Sequence, residues 1–96
     1  MRTKEEFDAA FRTFFEGCQR ITNNASTVKK EFSFVAGPRF VKVVVAGAAH
    51  CFVEKATGDV LKAASWSAPA KHARGNIFDA YNGLKGMGPY GPAYLR

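Results

Sequence analysis

The chain has 96 residues, which is enough for one small domain and too few for two separate cores. Hydrophobic residues make up 47% of it and aromatic residues 14%, which excludes a wholly disordered chain. Fourteen Lys and Arg against eight Asp and Glu give a formal net charge of +6, which favours an anionic partner such as nucleic acid. No apolar run is long enough to span a membrane, so we expect no membrane partner.

The first predicted element is an amphipathic helix over residues 3–20. Its apolar side chains recur at three- and four-residue spacing, at Phe7, Ala10, Phe11, Phe14, Phe15, Cys18 and Ile21. Thr3 followed by Glu6 matches a capping box, which marks the start of a helix. Gly17 weakens the last turn and a polar run follows, so we expect the helix to end near Arg20. Basic and acidic side chains balance within the first 20 residues, so the excess positive charge lies after them.

Four predicted strands follow the helix, at residues 28–35, 39–46, 49–55 and 59–65. These segments are rich in β-branched and aromatic residues, and glycine-containing turns separate them. Gly58 is expected to supply a positive φ in the turn before the last strand. One helix packed on three or four antiparallel strands makes an α+β fold in a single domain.

Alternation within the strands assigns side chains to two faces of the sheet. The inner face, towards the helix, is expected to carry Val41, Val43, Val45, Cys51 and Val53. The outer face is expected to carry Phe40, Lys42, Val44, His50, Phe52, Glu54 and Lys62. Exposed apolar side chains on an outer face suit a contact between two copies, so Phe40, Val44 and Phe52 predict a homodimer.

The last third of the chain is expected to be largely irregular. Ser67 and Pro69 favour a short turn or helix over residues 68–74, which Gly75 would end. Glycine and proline are then frequent enough to predict an irregular tail over residues 83–96.

Two segments of the C-terminal half have distinctive sequences. Residues 58–76 read GDVLKAASWSAPAKHARGN, and the chain ends in GPYGPAYLR. Both resemble a family of small proteins of tailed bacteriophages and related viruses, which share a GD-x3-AASW-x-APAK-xx-RGN core and a Gly- and Tyr-rich end. The resemblance covers about the last 45 residues and brings no assigned activity. It implies a viral origin and a location in the host cytoplasm.

Basic side chains gather around the single tryptophan in this sequence. Basic groups neutralise phosphates, and an aromatic ring stacks on a nucleic-acid base for about 1–3 kcal/mol. We therefore expect single-stranded or non-specific binding of DNA or RNA by Lys42, Lys62, Trp66, Lys71, His72 and Arg74. A competing interpretation makes Trp66 a core residue, because a lone tryptophan in a small domain is more often buried.

Protein binding is the alternative function. The chain would then be an inhibitor of a host enzyme or defence protein, or a minor virion component. Tyr81, Tyr90 and Tyr94 would serve it, since tyrosine is enriched at the centres of protein interfaces. A less favoured third interpretation is a nucleotide pocket lined by residues 66–74.

The sequence offers little for catalysis. It has no paired carboxylates or nucleophile and base in a recognisable arrangement, and Cys18 and Cys51 lack the spacing of a zinc site or a disulfide framework. We therefore expect a protein that is not an enzyme, with no cofactor and no metal.

Overall fold

A computed structural model describes residues 3–24, 30–85, 87–88 and 91–92 of the chain. Helix α1 is Lys4–Asn24. Five strands follow, namely β1 Phe32–Ala36, β2 Phe40–Val45, β3 Ala48–Glu54, β4 Asp59–Ala63 and β5 Pro69–Asn76. They form one antiparallel sheet in the order β1-β2-β3-β4-β5. Two short strands, β6 Met87–Gly88 and β7 Gly91–Pro92, pair with each other.

The predicted α+β fold, a helix with an antiparallel sheet, is confirmed, but the sheet has five strands rather than three or four. The first four strands match the predicted ones apart from their ends, and residues 28–29 lie outside the described residues. The positive φ predicted for Gly58 is also confirmed, at 80°.

The prediction of a turn or short helix over residues 68–74 is wrong, because residues 69–74 belong to β5. They pair with β4 in a register that joins Val60 to Gly75 and Leu61 to Ala73, interrupted by two irregularities. Pro69 is the first residue of this edge strand, a position where its missing N–H costs no ladder hydrogen bond. Strand pairing therefore overrides the local turn signals.

Helix α1 begins as predicted and continues one turn further than predicted. The Thr3 N–H donates to Glu6 Oε1 and the Glu6 N–H donates to Thr3 Oγ1, both at 3.1 Å, which completes the capping box. The predicted end at Arg20 is wrong because the next turn is packed, with Thr22 buried. Gly17 does not end the helix; a Cβ there would lie 2.3 Å from Leu84 Cδ1, so glycine permits a close approach.

The core lies between α1 and the inner face of the sheet. Its members from the helix are Phe11, Phe14 and Cys18, and those from the rest of the chain are Val41, Val43, Val45, Cys51, Val53, Val60, Ile77 and Met87. The five side chains predicted for the inner face are all among them. Burial raises the pKa of the Cys18 thiol to about 12 and that of Cys51 well above its usual value, so both thiols stay protonated.

Specific hydrogen bonds hold the segment after β5 in place, and this segment leads to two short strands. The Asp79 carboxylate accepts hydrogen bonds from the N–H groups of Gly83 (3.0 Å), Tyr81 (2.9 Å) and Asn76 (3.3 Å), which hold its pKa low. The Asn76 side chain donates to Thr57 O (2.8 Å) and to the Asp59 carboxylate (3.0 Å). These contacts anchor the segment that leads to β6 and β7, while residues 86, 89–90 and 93–96 of the predicted tail lie outside the described residues.

His50 is buried at an irregularity in the pairing of β2 with β3. Its ring lies 5.6 Å from that of Phe32, and its Nε2 has no hydrogen-bond partner among the described residues. Burial, together with the nearby charges of Lys30 and Lys62, lowers the pKa of His50 to about 4. The folded protein therefore holds this imidazole neutral.

This burial predicts that the protein loses stability in mild acid. Between pH 6.5 and about 4 the unfolded chain binds a proton at residue 50 that the folded chain does not, so the free energy of unfolding should fall as pH falls. The slope should reach about 1.4 kcal/mol per pH unit. Urea unfolding across this range should show a shallower slope for His50→Leu than for the wild type. His72→Gln, which alters the exposed histidine, is the control, and equal slopes for the wild type and His50→Leu would contradict the prediction.

Candidate nucleic-acid interface

Trp66 lies in the connection between β4 and β5, and 53% of its surface is exposed. The N–H groups of Ala64 and Ser65 both donate to the Ala68 carbonyl, at 3.0 and 3.1 Å, and so close a tight turn around it. The competing interpretation of Trp66 as a core residue is therefore wrong. The turn presents the indole to solvent instead of burying it.

Lys42 fixes the position of Trp66. Its Nζ lies 3.6 Å from the centroid of the Trp66 ring and donates a hydrogen bond to the Trp66 carbonyl at 3.0 Å. Lys42 is paired with Phe52 on the outer face of the sheet, so the connection that it holds lies over that face. A cation over an indole contributes about 0.5–1 kcal/mol at an exposed site, and the carbonyl bond adds a directional constraint.

The outer face is less exposed than the alternation predicted. Phe52 is 4% exposed, Val44 is 8% exposed and Phe40 is half-buried, with its ring 6.0 Å from that of Phe52. The homodimer prediction was based on an exposed apolar outer face, and the structure shows that this face is largely buried. The connection tied to Lys42 lies over part of this face.

Lys62 and His50 do not lie with Lys42, so the outer-face positions predicted for these two residues are wrong. Lys62 pairs with Cys51, a core residue, and therefore projects from the inner face. His50 contacts Phe32, which pairs with the core residue Val45. Both basic residues belong to the helix side of the sheet.

Three of the predicted residues lie together on β5, at the open edge of the sheet. Lys71 and His72 are exposed. Arg74 is half-buried, and its Nη1 donates to the His72 carbonyl. Ala73 pairs with Leu61 on the outer face, so Lys71 lies on that face, while His72 and Arg74 alternate to the other one. All three border the same open edge, which an extended polymer could follow.

A groove of about 340 Å³ lies on the outer face, with Phe40, Leu61 and Lys71 among its lining residues. Its two carboxylates already have partners. Glu54 accepts a hydrogen bond from Arg39 Nε at 2.8 Å, and Asp59 accepts one from the Asn76 amide at 3.0 Å. The acids of the groove are therefore already engaged, and Lys71 stands at its border.

We call Lys42, Trp66, Lys71, His72 and Arg74 the Trp66 patch. Sequence reasoning found these residue types but missed the contact between Lys42 and Trp66, which are 24 positions apart. It also missed the roles of Asn76 and Asp79, which fix the turn that follows β5. The structure brings Lys42 into direct contact with Trp66 and places the other three on the strand that follows.

The exposure of Trp66 predicts that the fold does not depend on it. Trp66→Ala should lower the free energy of unfolding by about 1 kcal/mol or less, the value of its contact with Lys42. Phe14→Ala, which empties a fully buried site, should cost about 3–5 kcal/mol. Urea unfolding of the two variants measures both values. Equal losses would mean that Trp66 is part of the core.

Two further features of the described residues bear on function. No helix in the described ranges is both long and apolar enough to cross a membrane. Within the same ranges, no three side chains of His, Cys, Asp or Glu gather in a way that could hold a metal ion.

No curated protein and no solved structure is significantly similar to this chain. Residues 3–87 match a family of unknown function, DUF7717. That span includes α1, all five strands of the large sheet and the Trp66 patch, so the chain belongs to this family.

Proposed function

We propose that the protein binds single-stranded DNA or RNA, with little sequence preference, through the Trp66 patch. The observation that carries the proposal is the exposed Trp66 ring, which Lys42 holds in place over the outer face of the sheet. Exposed aromatic rings beside basic groups are how many proteins bind single strands without reading sequence.

The two parts of the patch would contact different parts of the nucleic acid. The exposed surface of the indole would stack on a base, and the ammonium of Lys42 would stand within reach of the adjacent phosphate. Lys71, His72 and Arg74 would follow the phosphates along the edge of the sheet. Because its contact with Trp66 already fixes the Lys42 side chain, this side chain loses little entropy when nucleic acid binds.

Charge supports an anionic partner on this side of the molecule. The excess positive charge lies entirely after residue 20, and the patch itself contains no acidic residue. The two carboxylates that line the same groove as Lys71, Glu54 and Asp59, are engaged by Arg39 and Asn76. The resemblance of residues 58–76 to small phage proteins supports a viral origin, with action in the host cytoplasm.

Fluorescence anisotropy with a labelled single-stranded oligonucleotide at low salt tests the stacking contact. Trp66→Ala should weaken binding about 5- to 100-fold, and Trp66→Phe should restore part of it. Tyr81→Ala is a matched control, because Tyr81 is 55% exposed and Lys85 Nζ lies 5.1 Å from its ring. This variant should bind as the wild type does. Absence of binding by the wild type, or an equal loss in Tyr81→Ala, would overturn the proposal.

The salt dependence of binding tests the phosphate contacts separately. Lys71→Ala should reduce the slope of log K against log salt concentration by about 0.7, the value for one phosphate contact on a single strand. Lys85→Ala removes the same charge from an exposed lysine beside Tyr81 and should leave the slope unchanged. A similar change in both variants would mean that only the net charge matters, and that β5 forms no specific site.

One observation favours the alternative of protein binding. Tyr81 is more than half exposed, in the turn that follows β5, whereas Tyr90 and Tyr94 lie outside the described residues. A chain that binds no oligonucleotide, but retains a host protein in a pull-down that Tyr81→Ala loses, would favour an inhibitor or a virion component over a nucleic-acid-binding protein.

A further inference from the structure

Strand β1 forms the other open edge of the sheet, and its backbone is available for pairing. The Glu31 carbonyl accepts from the Ala46 N–H at 2.9 Å, and the Gly37 N–H donates to the Phe40 carbonyl at 2.8 Å, so the odd-numbered residues bond to β2. Alternate residues of an edge strand direct their N–H and C=O groups to opposite sides. The backbone groups of Phe32, Phe34 and Ala36 therefore face outwards.

This edge lacks the features that usually prevent strands of different molecules from pairing. Its sequence, FSFVA, contains no lysine or proline, and its pairing with β2 is regular over all five residues. Phe34 and Val35 are also 53% and 55% exposed. Such an edge is a template for another strand.

The edge is complementary to itself. An antiparallel copy related by a two-fold axis at Phe34 would place Phe34 opposite Phe34, and Phe32 opposite Ala36. These are the residues whose backbone groups face outwards, so each pair could exchange both of its hydrogen bonds. The register follows from the odd length of the strand and the direction of its bonds.

A groove of about 970 Å³ runs between this edge and α1. Phenylalanine forms much of its lining, through Phe7, Phe11, Phe15 and Phe34. The Phe34 ring lies 5.2 Å from that of Phe11 and 5.4 Å from that of Phe15. Pairing of two edges would bring the two Phe34 rings together and bury these exposed aromatic surfaces.

The charges along the groove favour a second copy of this protein as the partner, rather than a uniformly acidic or basic molecule. Lys4, Asp8, Arg12 and Glu16 line it at four-residue spacing, so the sign alternates along one row of the helix. The two-fold axis would make the helices antiparallel. If the axis passes between Arg12 and Glu16, close to the helix residues that Phe34 contacts, Arg12 of each copy lies opposite Glu16 of the other copy.

We propose that the protein forms a symmetric homodimer in which two β1 edges pair, centred on Phe34, and continue the sheet across both copies. This proposal is independent of nucleic-acid binding, because it rests on the opposite edge of the sheet.

Sedimentation equilibrium of the full chain at about 50 µM tests the dimer. The wild type should be a dimer, and Phe34→Lys should raise the dissociation constant at least about tenfold, because it removes the ring that packs across the two-fold axis and sets two lysines against each other there. Val35→Lys is the matched control, since Val35 is equally exposed but projects from the opposite face. A monomeric wild type, or an equal effect of both lysines, would overturn the proposal.

The charge row gives a test that leaves the aromatic packing intact. Arg12→Glu should weaken the dimer by setting residues 12 and 16 of the two copies in repulsion, and adding Glu16→Arg should restore it. Both side chains are exposed, so the variants should fold, which thermal unfolding can verify. A dimer that tolerates Arg12→Glu, or one that the second change fails to restore, would overturn the proposed arrangement.

Discussion

The packing of the α1 phenylalanines against the inner face of the sheet decides which parts of this small protein remain available for binding. Phe14, Val43, Val53 and Ile77 are fully buried between the helix and the sheet. One helix covers one face, so the two edge strands and the Trp66 side of the outer face are left for other contacts. The Trp66 patch and the β1 edge both lie on these surfaces.

The outer face is covered by a short connection rather than by a second layer. The turn at residues 64–68 lies over it and is held by Lys42, whose side chain meets both the ring and the carbonyl of Trp66. Phe52 is buried on this face, whereas 53% of the surface of Trp66 is exposed. Lys42 Nζ therefore stabilises the fold and also belongs to the proposed binding site, so substitutions of Trp66 and Lys71 separate binding from folding better than a substitution of Lys42 would.

The sequence predicts elements well where the signal is local. The capping box at Thr3, the apolar spacing of α1 and the β-branched run of β2 each depend on neighbouring residues, and each is found as predicted. Strand β5 could not be predicted in this way. Its Pro69 and Gly75 are typical of a turn or a helix end, and only pairing with β4 makes the segment a strand.

Errors in the candidate site have a related cause. Alternation shows which residues of one strand share a face, but the register between strands decides which face that is. Pairing of Lys62 with Cys51 sends this lysine to the helix side, against the prediction, and there its charge helps to hold His50 neutral. The contact between Lys42 and Trp66 joins distant parts of the chain, and neither position carries a local signal for it.

The strand order separates the two proposed interfaces. β1 and β5 are the two edges of the sheet, so a dimer formed through β1 would leave Lys71, His72 and Arg74 uncovered in both copies. The two Trp66 patches would then stand at opposite ends of a continuous sheet. A single-stranded nucleic acid long enough to reach both patches would bind the second patch in an intramolecular step, which raises affinity without any new contact. Dimerisation through β1 and binding through β5 are therefore compatible, whereas a dimer formed through the outer face would have competed with nucleic acid for the same surface.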